Sequence, residues 1–464
     1  MIQAGFYETD ITPPIGTERP ADFRKLLVRK IDDPLKIRAA VFTDGETRVA
    51  LVGLDNIGCG EGFRRKVEAM LPEFSLIISA SHTHYGGNLR DKVRGIDTAP
   101  EEIRKMVLID AVAHDPDYYA FCLKQFVTAV RMAAMDLREV EFSFGRRRIE
   151  NLIFNRRIRI RDGHVQTHPG KGNPDAVDYA GPVDDELGVV GVWEKGSDRL
   201  LGCVLNFSCH ACINLEGATA DFPGVAVNTI RGVYGPGTGA VYINGASGDV
   251  TQIDNLSLKK DTGKAVAIKL GRAVGAGAVE LLATADRGEI HTLRYLSENL
   301  TLTRNLPSPE VLRAAWETYR TAPDSSAALL ARSRIVYDFS SSADPHPIEK
   351  LCVLQLGPLV IGSSSGEMFA QYALDFKAAS PFPFTWYSQL SSNQLGYVPT
   401  PDCFERTGGG YEMSTSRFVP ETGPAVLRTL CSLTARLTPE EAPAPQTVTP
   451  QVKSWAYNFE SRKA

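Results

Sequence analysis

KIRAAVFT (Lys36–Thr43) and RVALVGL (Arg48–Leu54) decide the fold class. Each is short, rich in β-branched and aromatic or aliphatic residues, and bounded by turn formers such as Asp44, Gly45 and Asp55. Such runs read as strands. Others of the same character follow at Ser75–Ser79, Val140–Gly145, Leu200–Phe207, Ala240–Ile243 and Leu351–Ile361. Between them apolar residues recur at intervals of three and four over Glu61–Met70, Asp117–Met135, Gly263–Leu282, Pro309–Arg320 and Glu421–Leu437, which predicts helices. The class is therefore α/β or mixed α+β, with mixed β-sheets flanked by helices.

A chain of 464 residues with 43% hydrophobic and 23% charged residues buries a sizeable core. One catalytic unit is expected over residues 1–438, with a Pro-rich tail over 439–464 that wraps the surface, and a polar loop at Ser340–Pro347. The net charge of -4 and the lack of a long basic run exclude nucleic acid and an anionic membrane surface as expected partners. The N-terminus has no cationic and apolar leader pattern, and no apolar stretch reaches membrane-spanning length, so no anchor is expected. Eight scattered cysteines fit a reduced, cytoplasmic setting. Cys209 and Cys212 form a CxxC around His210, which reads either as a thiolate or redox site or as two small buried hydrophobes beside a working histidine.

The unusual polar residues cluster after apolar runs: LIISASHTHYGG, VLNFSCH, VYINGASGDV and LVIGSSSGE. Strand ends are where loops converge on a shared cleft, so four such ends point to one pocket. His82 and His84 stand two apart, which on an extended backbone aims both imidazoles the same way. His210 and Glu367 each end an apolar run and need partners there. Two histidines and a carboxylate from separate strand ends make a candidate zinc set; hydrogen-bonded histidines are the alternative. The loop Asn244–Thr251 can present backbone N–H groups to a ligand or form a tight turn. Arg156 and Arg157 can polarise a carbonyl or bind an anionic group, but beside Arg146–Arg148 and Arg159–Arg161 most of these arginines read as alternating across a solvated hairpin.

In order along the chain, AGFYETDITPP, DDPLKIRAAVF, SHTHYGG, the pair Asn155-Arg156, His210, NGASGDVTQ, SGEMF, the segment Gly396–Thr400 and Tyr411-Glu412 together resemble the neutral, non-lysosomal ceramidase family. The resemblance implies the N-terminal catalytic domain of a short bacterial relative, without the family's C-terminal immunoglobulin-like domain. It implies a zinc ion held by His82, His210, Glu367 and Tyr397, with His84 moving protons to the leaving amine and Arg156 holding substrate or supporting Tyr397. Asn155, His168, Asp249 and Tyr411 fall where substrate would lie. Thr251 stands where the family has serine, and Gln252 where it has proline, so ceramide itself is not the expected substrate.

The expected activity is zinc-dependent cleavage of an amide bond in a small or lipid-like acylated amine. The alternatives are an ester or lactone hydrolase on the same site, a metal-stabilised binding protein without catalysis, or a metal-free hydrolase with Ser247 or Thr251 as nucleophile. The sequence is silent on oligomeric state.

Overall fold

The computed structural model describes residues 1–20, 25–111, 113–213 and 216–445. Its main sheet runs from edge to edge as Gly239–Asn244, Leu200–Phe207, Glu186–Glu194, Arg138–Arg148, Gln3–Asp10, Lys36–Thr43, Arg48–Leu54 and Ser75–Ala80, with the short strand Arg287–Gly288 added beside Arg138–Arg148. A second sheet has the order Leu293–Thr301, Ile348–Leu356, Leu359–Ser363 and Phe384–Ser388. The pairs at the two main-sheet edges are parallel, and so is Leu359–Ser363 with Phe384–Ser388.

Alternation along each strand explains the layers. Ile37, Ala39 and Val41 face the helices Glu61–Met70 and Pro116–Met135, whereas Ala40 and Phe42 face the second sheet through Leu354, Leu356 and Trp386. At the other end of the main sheet, Leu205 and Tyr242 pack on the helices Asp221–Tyr234 and Lys264–Thr284. The outer face of the second sheet packs on Ala370–Ala379 and Thr422–Thr434. The result is a helix, sheet, sheet, helix sandwich in which central strands are buried on both faces.

The main sheet curls until its edges meet. Gly53 has no side chain because a Cβ there would sit 2.9 Å from the Tyr242 carbonyl oxygen. The Asn244 N–H then donates to Ser79 Oγ at 3.3 Å. This contact brings the end of Ser75–Ala80 beside the end of Gly239–Asn244, which is what gathers the site.

The strands expected at Lys36–Thr43, Arg48–Leu54 and Leu200–Phe207 have those bounds. Leu351–Ile361 is two strands rather than one, because Gly357 (φ +56°) and Pro358 make a tight turn between Leu356 and Leu359. The helix Ser326–Ser341 takes in the first residues of the loop expected from Ser340. It packs with Glu101–Leu108 and Pro309–Thr321 as a small separate cluster around Ile103, Ala315 and Ile335. Of the tail, Glu440 accepts from the His291 and Thr292 N–H groups; residues 446–464 lie outside the described residues. No helix of the described residues is long and apolar enough to cross a membrane.

Candidate metal centre

His82 follows Ser75–Ala80 with φ at +63°, a left-handed conformation that costs a non-glycine residue about 1 to 2 kcal/mol. Backbone strain of this kind at a strand end aims the imidazole inward. His210 follows Leu200–Phe207, and Glu367 follows Leu359–Ser363. Glu367 pairs in parallel with Tyr397, and its N–H donates to the Gly396 carbonyl at 2.9 Å.

Both buried histidines are held from behind. His82 Nδ1 lies 2.8 Å from the Ile57 carbonyl and His210 Nδ1 lies 2.5 Å from the Ser247 carbonyl. A carbonyl only accepts, so Nδ1 carries the proton and Nε2 presents its lone pair. Those Nε2 atoms converge on Glu367 Oε2, at 3.3 Å from His82 and 3.4 Å from His210. His210 Nε2 and Glu367 Oε2 are both buried and neither makes a hydrogen bond. His84 completes the group: its Nε2 is 3.3 Å from His82 Nε2, and nitrogen atoms of the three imidazoles lie within 4.8 Å of one another.

Protonated imidazoles would hold Glu367 well below the usual carboxylate range against the opposing effect of burial. Burial, aided by the charges of Arg156 and His82, instead pushes His210 down to about 3, and burial likewise keeps His84 well below the usual histidine value. The neutral form of His210 and His84 therefore prevails at neutral pH, because burial and the neighbouring positive charges outweigh the pull of Glu367. A carboxylate among neutral imidazoles then calls for a cation.

The opposite wall is charged. Arg156 Nε donates to Glu412 Oε1 at 2.6 Å and its Nη2 to the Gly248 carbonyl at 2.7 Å. Arg157 lies 3.8 Å from Glu412 Oε2, which also accepts from Thr167 Oγ1 at 2.5 Å. Arg156 sits 5.3 Å over the Tyr397 ring, and burial keeps the Tyr397 phenol protonated well above its usual range. The Tyr397 ring is stacked with His210 at 6.3 Å.

No protein-family model matches the sequence, and no curated protein sequence does. Solved structures do match. A ceramidase complexed with C2 superposes with a TM-score of 0.70 at 15% identity, covering 96% of this chain and 77% of that one. Neutral ceramidase from Pseudomonas aeruginosa gives a TM-score of 0.69 at 18% identity, covering 97% of this chain and 76% of that one. The fold is that of a neutral ceramidase.

On this ceramidase fold the residues singled out in the sequence divide into three groups. His82, His84, His210, Glu367, Tyr397 and Arg156 come together as described. His168 and Tyr411 lie alongside: His168 is bonded through Nδ1 to Asn255 Oδ1 at 3.2 Å and through its N–H to the Arg156 carbonyl, and the Tyr411 ring is 5.6 Å from Tyr397. Asn155, Asp249 and Thr251 are buried behind the wall. Asn155 Nδ2 donates to Asp249 Oδ2 at 2.6 Å, Asp249 Oδ1 accepts from the first N–H of helix Ala370–Ala379, and Thr251 Oγ1 accepts from the Ile253 N–H.

The Asn244–Thr251 loop meets the site with carbonyls, not N–H groups. Its N–H groups at Gly245, Ser247, Gly248 and Val250 are used within the protein, while Ser247 and Gly248 turn their carbonyls to His210 and Arg156. Ser247 Oγ is fully buried and accepts from Gln389 at 2.7 Å, which removes it as a nucleophile. Burial holds the Cys209 and Cys212 thiols up, Cys212 at about 12, so neither offers a thiolate. Arg159 pairs with Asp178 on an exposed hairpin, but Arg157 is buried against Glu412. Glu412 entered the sequence reading only within the Tyr411-Glu412 motif and without a role; two successive arginines that must be buried were the signal for one. Two cavities, of about 250 and 310 Å³, lie elsewhere and contain none of these residues.

Proposed function

We propose that this protein is a zinc-dependent hydrolase that cleaves a carbon–nitrogen (amide) bond of a small or lipid-like acylated amine. The observation that carries the reading is the convergence of unpaired, buried donor atoms, His210 Nε2 and Glu367 Oε2, with His82 Nε2. Neutral imidazoles held through Nδ1, a carboxylate and a phenol are a donor set that zinc accepts. His82, His210, Glu367 and Tyr397 would hold the ion. When bound, zinc supplies Lewis-acid polarisation and brings the pKa of water toward neutrality.

The chain's own residues do the rest. Hydrolysis places the oxygen of water on the acyl carbon and a proton on the leaving nitrogen. His84 is neutral, partly open to solvent and adjacent to His82, so its Nε2 is the atom placed to carry that proton. Arg156, fixed by Glu412 and Gly248, orients Tyr397 from across its ring.

The test is metal content by plasma emission spectrometry on gently purified wild type and His82→Ala, together with turnover of N-acyl amines. About one zinc per chain, lost in the variant along with turnover, is expected; a metal-free protein that still hydrolyses amides overturns the reading. Zinc without turnover of amides, esters or lactones would leave the metal-stabilised binding protein, which the inward-turned hydroxyl of Thr251 favours.

A further inference from the structure

The two sheets treat their edges differently. In the main sheet the edge strands Ser75–Ala80 and Gly239–Asn244 meet each other, and Ser75–Ala80 is covered a second time: Ser79 bridges to Ser391, and the Ser392 N–H donates to the Ile78 carbonyl at 2.9 Å. Leu293–Thr301, a 9-residue edge of the second sheet, has no such cover. Beyond its ladder with Ile348–Leu356, no backbone group from Arg294 to Thr301 makes a hydrogen bond among the described residues. Arg294, Ser297, Glu298, Asn299 and Thr301 are exposed.

The described chain does not return to this edge. The Thr438 carbonyl accepts from Gln355, Glu440 accepts from the His291 and Thr292 N–H groups, and Pro443 lies against Gly288. The segment past helix Thr422–Thr434 therefore runs away from the start of the strand. Edge strands that stay single are blunted by proline, lysine, a bulge or a short length. LRYLSENLT has neither proline nor lysine, and its register with Ile348–Leu356 is continuous from end to end. At about 3.3 Å per residue it offers roughly 30 Å of open ladder.

The two charges of the strand, Arg294 and Glu298, stand on one face with Leu296 midway between them. Arg294 is loosely held, its side chain 59% exposed and 3.9 Å from Asp44, and Glu298 has no ion pair among the described residues. Opposite charges placed symmetrically about one residue make a strand complementary to itself. Laid antiparallel on a second copy with Leu296 opposite Leu296, the strand sets Arg294 against Glu298 of the partner subunit and Glu298 against the partner's Arg294. A shift that sets Ser297 opposite itself loses both pairs, because Arg294 then meets Leu300 and Glu298 meets Leu296. Charge thus selects the register.

We propose that Leu293–Thr301 is a docking edge for a second copy of this chain, which joins the second sheets of two molecules across a two-fold axis at Leu296. The proposal does not depend on the hydrolase reading.

Sedimentation velocity of the full chain over a range of concentrations tests it, for wild type, Arg294→Glu, Glu298→Arg and the double variant that exchanges the two charges. Both positions are exposed, so the fold is kept, and circular dichroism checks this. Wild type dimerises. Each single reversal sets like charges opposite each other twice and weakens the dimer by at least about 10-fold, and the double variant regains it. In Leu296→Cys the new thiol meets its own copy within disulfide reach and cross-links under mild oxidation, whereas wild type does not. A wild type that stays monomeric at every concentration, a dimer indifferent to both single reversals, or a double variant as weak as the single ones overturns the proposal.

Discussion

On one side of the cleft, His82, His210 and Glu367 are held by neutral hydrogen bonds: two carbonyls behind the imidazoles, Gln389 bonded to Ser247, and Glu349 accepting from the Ser365 N–H at 2.6 Å. On the other side, Arg156, Arg157 and Thr167 all close on the single carboxylate of Glu412, which is 0% exposed. Neutral bonds leave the lone pairs of the imidazoles free for a cation. Charge on the facing wall orients a phenol without competing for that cation, because its arginines are already neutralised in part. The difference teaches that a floor with unpaired donor atoms and a charged wall can sit within one pocket when the wall's charges are met among its own residues.

The charged wall is the easier to break. Glu412→Ala leaves two buried arginines without their acid, and urea unfolding is expected to show a loss of about 3 to 5 kcal/mol; a loss under about 1 kcal/mol would show that charge does not hold this wall. The neutral wall is broken by pH. Burial pushes Glu349 up to about 7, so the folded protein keeps a proton that the unfolded chain releases near 4.5. The associated stability is therefore complete below about pH 4.5 and is lost as pH rises through about 7, to a limit of roughly 3 kcal/mol. Unfolding curves at pH 5 and pH 8 should differ in wild type, and the difference should shrink in Glu349→Gln, leaving the part due to the buried carboxyls of Asp221 and Asp249. The smallest effect sharpens the comparison: Gln389→Ala frees the Ser247 loop behind His210 and should weaken metal affinity roughly 10- to 100-fold. Competition with a chelator measures it, and an unchanged affinity would mean that the Ser247 carbonyl needs no support.

Much of the fold was legible where burial on both faces makes a continuous apolar run, as in Lys36–Thr43 and Leu200–Phe207. Glu186–Glu194 was not, because Gly188 and Gly191 interrupt it; their reason is the close approach of Trp386 and of Ser143 with Trp193, which only packing reveals. Asp221–Tyr234 was hidden by Pro223 and Gly224 in its first turn, where a missing N–H costs the helix nothing. Leu293–Thr301 has one face open to solvent and is defined by its pairing with Ile348–Leu356. In the site, His82, His210 and Glu367 stood out as polar residues after apolar runs. The carbonyls of Ile57 and Ser247 could not stand out, since every residue has one.

The parallel rungs Glu367 to Tyr397 and Met368 to Val398 carry a consequence for ion choice. Because backbone register sets the separation of the carboxylate and phenol segments, the pocket acts as a mould rather than a clasp. Under the proposed metal reading, an ion that favours another span would have to distort this two-stranded ladder, so strand alignment would itself discriminate among divalent ions.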